Sequence, residues 1–291
     1  MTRVNPPNPI TLEWLVDRTT AVYSLSLIYE RLTETINHPR SSITDIARII
    51  TEDQGLTARL LKLANSPMFG YFSKIDSINK AVTVIGTQQL RDMALAVSVM
   101  ETFSDIPEIM INMKSFWHHC IGCGIMARAL ATYRREINVE RFFAAGILHD
   151  IGLLVMCTTI PDTVRKLLIS SREQDSLYHE IESKNLGFNH ADVGGSLLNR
   201  WSIPPGIVEP VTYHHTPDKA QKFPRETAII HLADIICHAL HIGGSGNHLV
   251  PALSPLAWDR LDIPATALAT IIKQTGPQLE EIFTILGENA P

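Results

Sequence analysis

The chain has 291 residues, with 25 Lys and Arg against 30 Asp and Glu, a formal net charge of -5 at pH 7, 45% hydrophobic residues and 19% charged ones. That length allows one large domain or two modest ones, and the composition excludes a disordered polyelectrolyte. No basic run exceeds Arg134-Arg135, so no phosphate-backbone footprint and no direct nucleic-acid partner are expected.

The opening Met1-Thr2-Arg3 runs into Asn5-Pro6-Pro7-Asn8-Pro9 without the apolar core of a signal peptide. Ser42-Ile43-Thr44-Asp45 has the form of a capping box, and Ile43, Ile46, Ala47, Ile49 and Ile50 follow at helical spacing until Gly55. Leu56 to Ala64 repeats the pattern, broken by Asn65-Ser66-Pro67 and Gly70. Ser77 offers the next cap, Gly86 closes that segment, and Thr87 opens another through Val97.

A second block begins after Asp105-Ile106-Pro107, with helices expected near 114–133, 139–149, 161–172, 190–201, 205–214 and 225–241. The longest apolar stretch, 151–160, is about ten residues against the ~20 of a membrane span, so no membrane and a cytoplasmic location are expected. Gly243-Gly244-Ser245-Gly246-Asn247 reads as a flexible linker, ahead of helical patterns at 264–272 and 277–287. No segment alternates with a period of two, so the fold class is all-α.

Histidines and carboxylates cluster at helix ends: His118-His119, His149-Asp150, His190-Ala191-Asp192, His214-His215, and Asp234 after His231. A lone histidine at such a position is more often a hydrogen-bonded helix-end residue than a ligand. Several together, delivered from separate helices, suit Fe, Mn, Zn or Ni in a mononuclear or binuclear divalent site. Cys120-Ile121-Gly122-Cys123 has no second pair at zinc-ribbon spacing and lies in an apolar stretch, so it reads as core packing; all four cysteines read as buried reduced thiols. His231, His238 and His241 share a helix face with Asp234, an arrangement that a metal stripe would also produce, and all but Asp234 read as a solvated or groove-facing polar stripe; Trp201 reads as a core anchor.

The segment from Asp53-Gln54-Gly55-Leu56 to Ala64-Asn65-Ser66 resembles the N-terminal signature of the HDOD family, bacterial signalling modules related to HD-domain phosphohydrolases. So do Ile78 to Gly86, Phe116-Trp117-His118-His119, Gly146-Ile147-Leu148-His149-Asp150-Ile151-Gly152, and the stretch from His190-Ala191-Asp192-Val193-Gly194 through Leu198 and Trp201 to His214-His215. The resemblance covers approximately residues 20–240. It implies an N-terminal helical subdomain over 1–110, an HD-like metal-site subdomain over 111–242, and a linker with C-terminal helices over 243–291.

Many members of that family lack the complete metal set and act as regulatory or protein-interaction modules. Here His119, His149, Asp150 and Asp234 match the H…HD…D positions of the wider HD superfamily, and His190, His214 and His215 resemble additional ligands of cyclic-di-GMP phosphodiesterases within it. Two features depart from catalytic relatives: Leu153 stands where a lysine is common, and Thr216-Pro217-Asp218 follows His214-His215 in place of a Gly-Tyr-Pro motif. The expected function is therefore regulation through signalling proteins around a structural or sensory metal. The alternative is a metal-dependent phosphohydrolase acting on a nucleotide or cyclic dinucleotide, in which Asp150 bridges two metals and is the candidate catalytic residue.

Overall fold

Side chains that satisfy free amide groups decide where the first helices begin. The computed structural model describes residues 6–287 except 8, 22, 24, 26, 71, 72 and 104–110; residues 1–5 and all of Asp105-Ile106-Pro107 lie outside the described residues. Helix α1 (Leu12–Thr20) starts behind Thr11, whose hydroxyl accepts the Trp14 amide, and α2 (Leu27–Asn37) follows. Ser42 and Asp45 form the expected reciprocal capping box at the start of α3 (Ile43–Thr51). Gly55 does not end that helix. Asp53 caps a new one, α4 (Gln54–Ala64), by accepting the Leu56 amide at 2.9 Å, so Gly55 falls in its first turn. Ser77 caps α5 (Ile78–Ile85), and Gly86, at φ +103°, turns the chain into α6 (Thr87–Thr102).

The second block runs α7 (Met113–Tyr133), α8 (Val139–Leu148), α9 (Ile151–Thr159), α10 (Pro161–Glu173), α11 (Tyr178–Leu186), α12 (His190–Arg200), α13 (Pro205–Tyr213) and α14 (Pro224–Ala239). The C-terminal part adds α15 (Pro255–Leu261) and α16 (Ala265–Gly287). The fold is all-α, with no strand among the described residues. The sequence pattern misses α9 because it is covered on every side. Seven of its nine residues are buried, and a helix apolar all round has no stripe to recognise. Together Val139–Thr159 has the length and hydropathy of a membrane span, yet 89% of its most apolar window is buried inside the protein. The two expected C-terminal patterns are one helix, α16, which carries Pro277 in its interior.

One contiguous core runs from Leu15 to Leu286. Helix α7 packs on α8, α14 and α16, α6 packs on α8, and α1 lies against α9 and α12. Polar ties join the first six helices to the second block: Arg128 Nη1 donates to the Met68 carbonyl at 2.7 Å and Asn138 Nδ2 to Asp92 Oδ2 at 2.9 Å.

Two crossings are close enough to require glycine. A Cβ on Gly146 of α8 would lie 2.6 Å from the Gly124 backbone of α7. A Cβ on Gly152 of α9 would overlap the His190 carbonyl oxygen and lie 2.5 Å from the Gly194 nitrogen of α12. These contacts bring the helix ends bearing His149, Asp150 and His190 together.

Residues 243–247 are fastened rather than free. The Gly244 amide donates to the Ser115 carbonyl at 3.1 Å, Gly243 rests on the backbone of Ser115 and His119, and Asn247 Oδ1 accepts the Tyr178 amide at 3.0 Å. Glycine here serves close approach, which composition alone cannot distinguish from flexibility. Native-state cleavage by a broad-specificity protease should therefore spare 243–247, and an early fragment ending there would contradict the packing. Gly152→Ala should lower stability by about 2–3 kcal/mol, read as a lower denaturation midpoint, because neither backbone at the crossing can yield.

Candidate metal centre

Each candidate side chain is held by a feature of its own helix. His149 follows the last residue of α8, and its Nδ1 donates to the Gly146 carbonyl at 2.7 Å. His214 follows α13 in the same way, with Nδ1 on the Val211 carbonyl at 2.7 Å. Both rings use a carbonyl that the helix end leaves without an amide partner, and both therefore point Nε2 beyond the helix. Asp150 precedes α9 without capping it, which leaves both carboxylate oxygens for other contacts. His190 opens α12, where Asn189 and Asp192 form a capping box. Its Nδ1 meets Glu182 Oε2 of α11 at 2.5 Å, and Tyr178 stacks over its ring. His119 sits on α7 with Nδ1 on the Ile242 carbonyl at 3.2 Å, and Asp234 projects from α14.

All seven expected residues converge. His119 Nε2 is 3.1 Å from Asp234 Oδ1, and His149 Nε2 is 3.3 Å from Asp150 Oδ2 and 3.6 Å from Asp234 Oδ1. The other oxygen, Asp150 Oδ1, is 3.2 Å from His190 Nε2 and 3.6 Å from His214 Nε2, while His215 Nε2 lies 2.9 Å from His190 Nε2. Two groups result: His119, Cys123, His149 and Asp234 in one, and Asp150, His190, His214 and His215 in the other, with the donor atoms of each within 4.8 Å of one another. Asp150 faces both groups, one oxygen to each.

The electrostatics call for cations. Burial disfavours the carboxylates, yet His149 beside Asp150 and His238 beside Asp234 hold both acids well below the usual range. Burial likewise opposes charge on the rings. Asp150 and Asp234 nevertheless hold His149 well above a free imidazole, and Glu182 with Asp150 pushes His190 up to about 10. Desolvation wins at His119, which is lowered, and at His215, which is lowered further by His214, His179 and His190.

A neutral His119 has one N–H for two acceptors, the Ile242 carbonyl and the Asp234 carboxylate. His149 Nε2, His214 Nε2 and Asp150 Oδ1 are buried without a hydrogen-bond partner. Bonds of ~2.0–2.2 Å to one ion leave neighbouring donors roughly 2.9–3.6 Å apart, which spans the contacts seen here. The donor set therefore fits divalent metal ions.

Three participants escape the sequence reading. Cys123 belongs to the first group, its Sγ 3.6 Å from His119 Nε2, as well as to the core. His238 is not part of a solvated stripe, since its Nε2 lies 3.2 Å from Asp234 Oδ1 and its side chain is nearly buried. Glu182, fully buried, was not singled out. The i, i+4 spacings His119/Cys123 and Asp234/His238 were the available signals. His231 is structural, bridging the His214 carbonyl and the Ser254 amide, and His241 is exposed. Trp201 is half-buried at the end of α12 and packs against the core near Phe103. All four cysteines are free and buried.

The chain is 23% identical, at a TM-score of 0.74, to a solved structure named as an inferred phosphohydrolase from Shewanella amazonensis SB2B, covering 94% of this chain and 97% of that one. It is 17% identical, at 0.72, to an inferred signal transduction protein from Marinobacter aquaeolei VT8, covering 96% of this chain and 65% of that one. At these identities the likeness is one of fold. An uncharacterized protein of Treponema pallidum (strain Nichols) is 25% identical over 181 residues, 62% of this chain and 35% of that protein, so the chain spans about a third of the length of the curated relative it matches. The family model for the HDOD domain matches residues 22–217, about two thirds of the chain, and the chain belongs to the HDOD family.

Proposed function

We propose that this HDOD protein is a metal-binding regulatory module of signal transduction, in which a bridged pair of divalent metal sites fixes the helix arrangement that a signalling protein reads. The observation that carries this reading is Asp150, buried at the junction of α8 and α9, with Oδ2 turned to His149 and, at 3.9 Å, His119, and Oδ1 turned to His190 and His214. Fe, Mn, Zn and Ni all suit the nitrogen and oxygen donors. His119, His149 and Asp234 would hold one ion and His190, His214 and His215 the other, with Asp150 shared. Ions bound there supply charge neutralisation and can lower the pKa of a bound water.

Regulation is favoured over turnover by what surrounds the cluster. His119, His149 and His214 are fully buried, and the strongest electrostatic partners of the shifted residues are imidazoles and carboxylates, with no Lys or Arg among them. Leu153, where the family resemblance leads one to expect a lysine, is buried in the core. Stabilising the charge that develops in phosphoryl transfer calls for such a donor. The second reading, a phosphohydrolase acting on a nucleotide or cyclic dinucleotide, is supported by the shared position of Asp150, which two-metal hydrolysis uses. In that reading Asp150 is the catalytic residue that holds both halves of the site together.

Elemental analysis of protein purified under reducing conditions should find about two metal ions per chain, the content of a bridged pair. Asp150→Ala should lose both ions and His149→Ala at least one. With Fe or Mn added, hydrolysis of cyclic dinucleotides and nucleotides should be feeble or absent. Robust hydrolysis abolished by both substitutions would replace the regulatory reading with the enzymatic one, and wild-type protein that retains no metal would end both. Glu182→Gln should weaken the second metal about 10–100-fold while leaving the first bound, because it removes the carboxylate that orients His190, as metal titration would show.

A further inference from the structure

The geometry points to Cys123 as a thiolate ligand of the first metal, making that position a nitrogen, sulfur and oxygen site and leaving the second with nitrogen and oxygen alone. This rests on the metal-binding reading above and specifies which ion each half selects. Cys123 lies one helical turn after His119, so both side chains leave the same face of α7. Its Sγ is 3.6 Å from His119 Nε2 and within 4.8 Å of the donor atoms of His149 and Asp234. The second, independent observation is His149 Nε2 in the same group, which is buried and has no hydrogen-bond partner. Cys120, Cys157 and Cys237 are also buried and free, but none of them joins either donor group.

A buried thiol does not ionise unaided. Desolvation, with the neighbouring Cys237 and Asp234 adding to it, raises the Cys123 pKa well above that of a free thiol. Coordination reverses this, because a metal ion deprotonates a ligating thiol outright. In that step the S–H bond breaks, the sulfur lone pair forms the S–metal bond, and the proton leaves to bulk solvent; no electron is transferred. The two halves then differ in kind. Thiolate with two imidazoles, Asp234 and the shared Asp150 favours Zn, Fe(II) or Co(II), whereas three imidazoles and the shared Asp150 accept harder ions as well.

Cobalt(II) reports both questions at once. The metal-free protein is titrated with cobalt(II) in a phosphine reductant, which adds no thiolate of its own, and bound cobalt is counted by elemental analysis. The expected result is a set of visible ligand-field bands together with a near-ultraviolet sulfur-to-cobalt charge-transfer band. That band should vanish in Cys123→Ser while cobalt stays bound, and zinc affinity of the first site should fall at least ~10-fold in the same variant. Cobalt bound to wild-type protein without the near-ultraviolet band overturns the proposal and leaves the metal reading standing, and this outcome needs no variant to fold. A band that survives Cys123→Ser, or that is lost only in Cys237→Ser, also overturns it. Protein that binds no cobalt, zinc, iron or manganese overturns the metal reading and this proposal with it.

Discussion

Two carboxylates withdrawn from water, Asp150 and Asp234, govern the centre of this molecule. An isolated buried carboxylate is strongly unfavourable unless a cation or several donors meet it. Every element that reaches them brings an imidazole: α7 supplies His119, the α8–α9 break His149, α12 His190, the end of α13 His214, and α14 His238. Without a metal, protons on some of these rings supply counter-charge: Asp150 and Asp234 hold His149 basic, and Glu182 with Asp150 does the same for His190. Metal ions would take over that role, releasing protons as they bind, so occupancy and protonation of the cluster are alternatives.

Helix ends make the arrangement possible. His149 and His214 each fold back on the carbonyl three residues earlier, which a helix leaves free at its last turn. A histidine in mid-helix would find that carbonyl already engaged. His119, which does sit mid-helix, takes its carbonyl from elsewhere, from Ile242 just ahead of the segment 243–247. That segment is thereby coupled to the cluster. It reaches from the end of α14 across the backbone of Ser115 and His119 to the start of α11, whose Glu182 orients His190.

Much of this was written in the sequence, and the part that was not has physical causes. Five of the seven histidines and aspartates were legible because they stand at helix ends or junctions, His119 and Asp234 lie inside α7 and α14 and were legible only from their order along the chain, and the caps at Ser42 and Ser77 were legible because a single side chain decides them. Helix α9 was obscured by complete burial, which erases the periodicity that marks an amphipathic helix. Cys123 and His238 were obscured because an apolar or polar neighbourhood in sequence says little about which face of a helix looks into a cluster. Glu182 could not be singled out at all, since nothing local distinguishes a carboxylate that orients a histidine from one that faces water. The glycines at 243, 244 and 246 mislead for a related reason: small size permits both motion and contact, and only the partner surface decides between them.

The proposed regulatory role draws on where the cluster sits. The donors other than half-buried His215 lie inside the packed core, and they belong to α7, α12, α14 and the junctions after α8 and α13, so a change in occupancy acts on the mutual placement of those helices. The crossings that set this placement, Gly124 on Gly146 and Gly152 on His190 and Gly194, are backbone contacts with little slack. Asp150 leads directly into α9, which crosses α12 at Gly152, and both helices pack against α1. Binding energy at such a site is spent on the relative position of helices, the quantity a protein partner can sense. An enzyme using the same ligands would instead require an opening at which a phosphate ester reaches Asp150 and meets a cationic or hydrogen-bonding donor. The cations that tie the helices together are already engaged elsewhere: Arg128 with Met68 and Glu140, and Arg141 with Glu226.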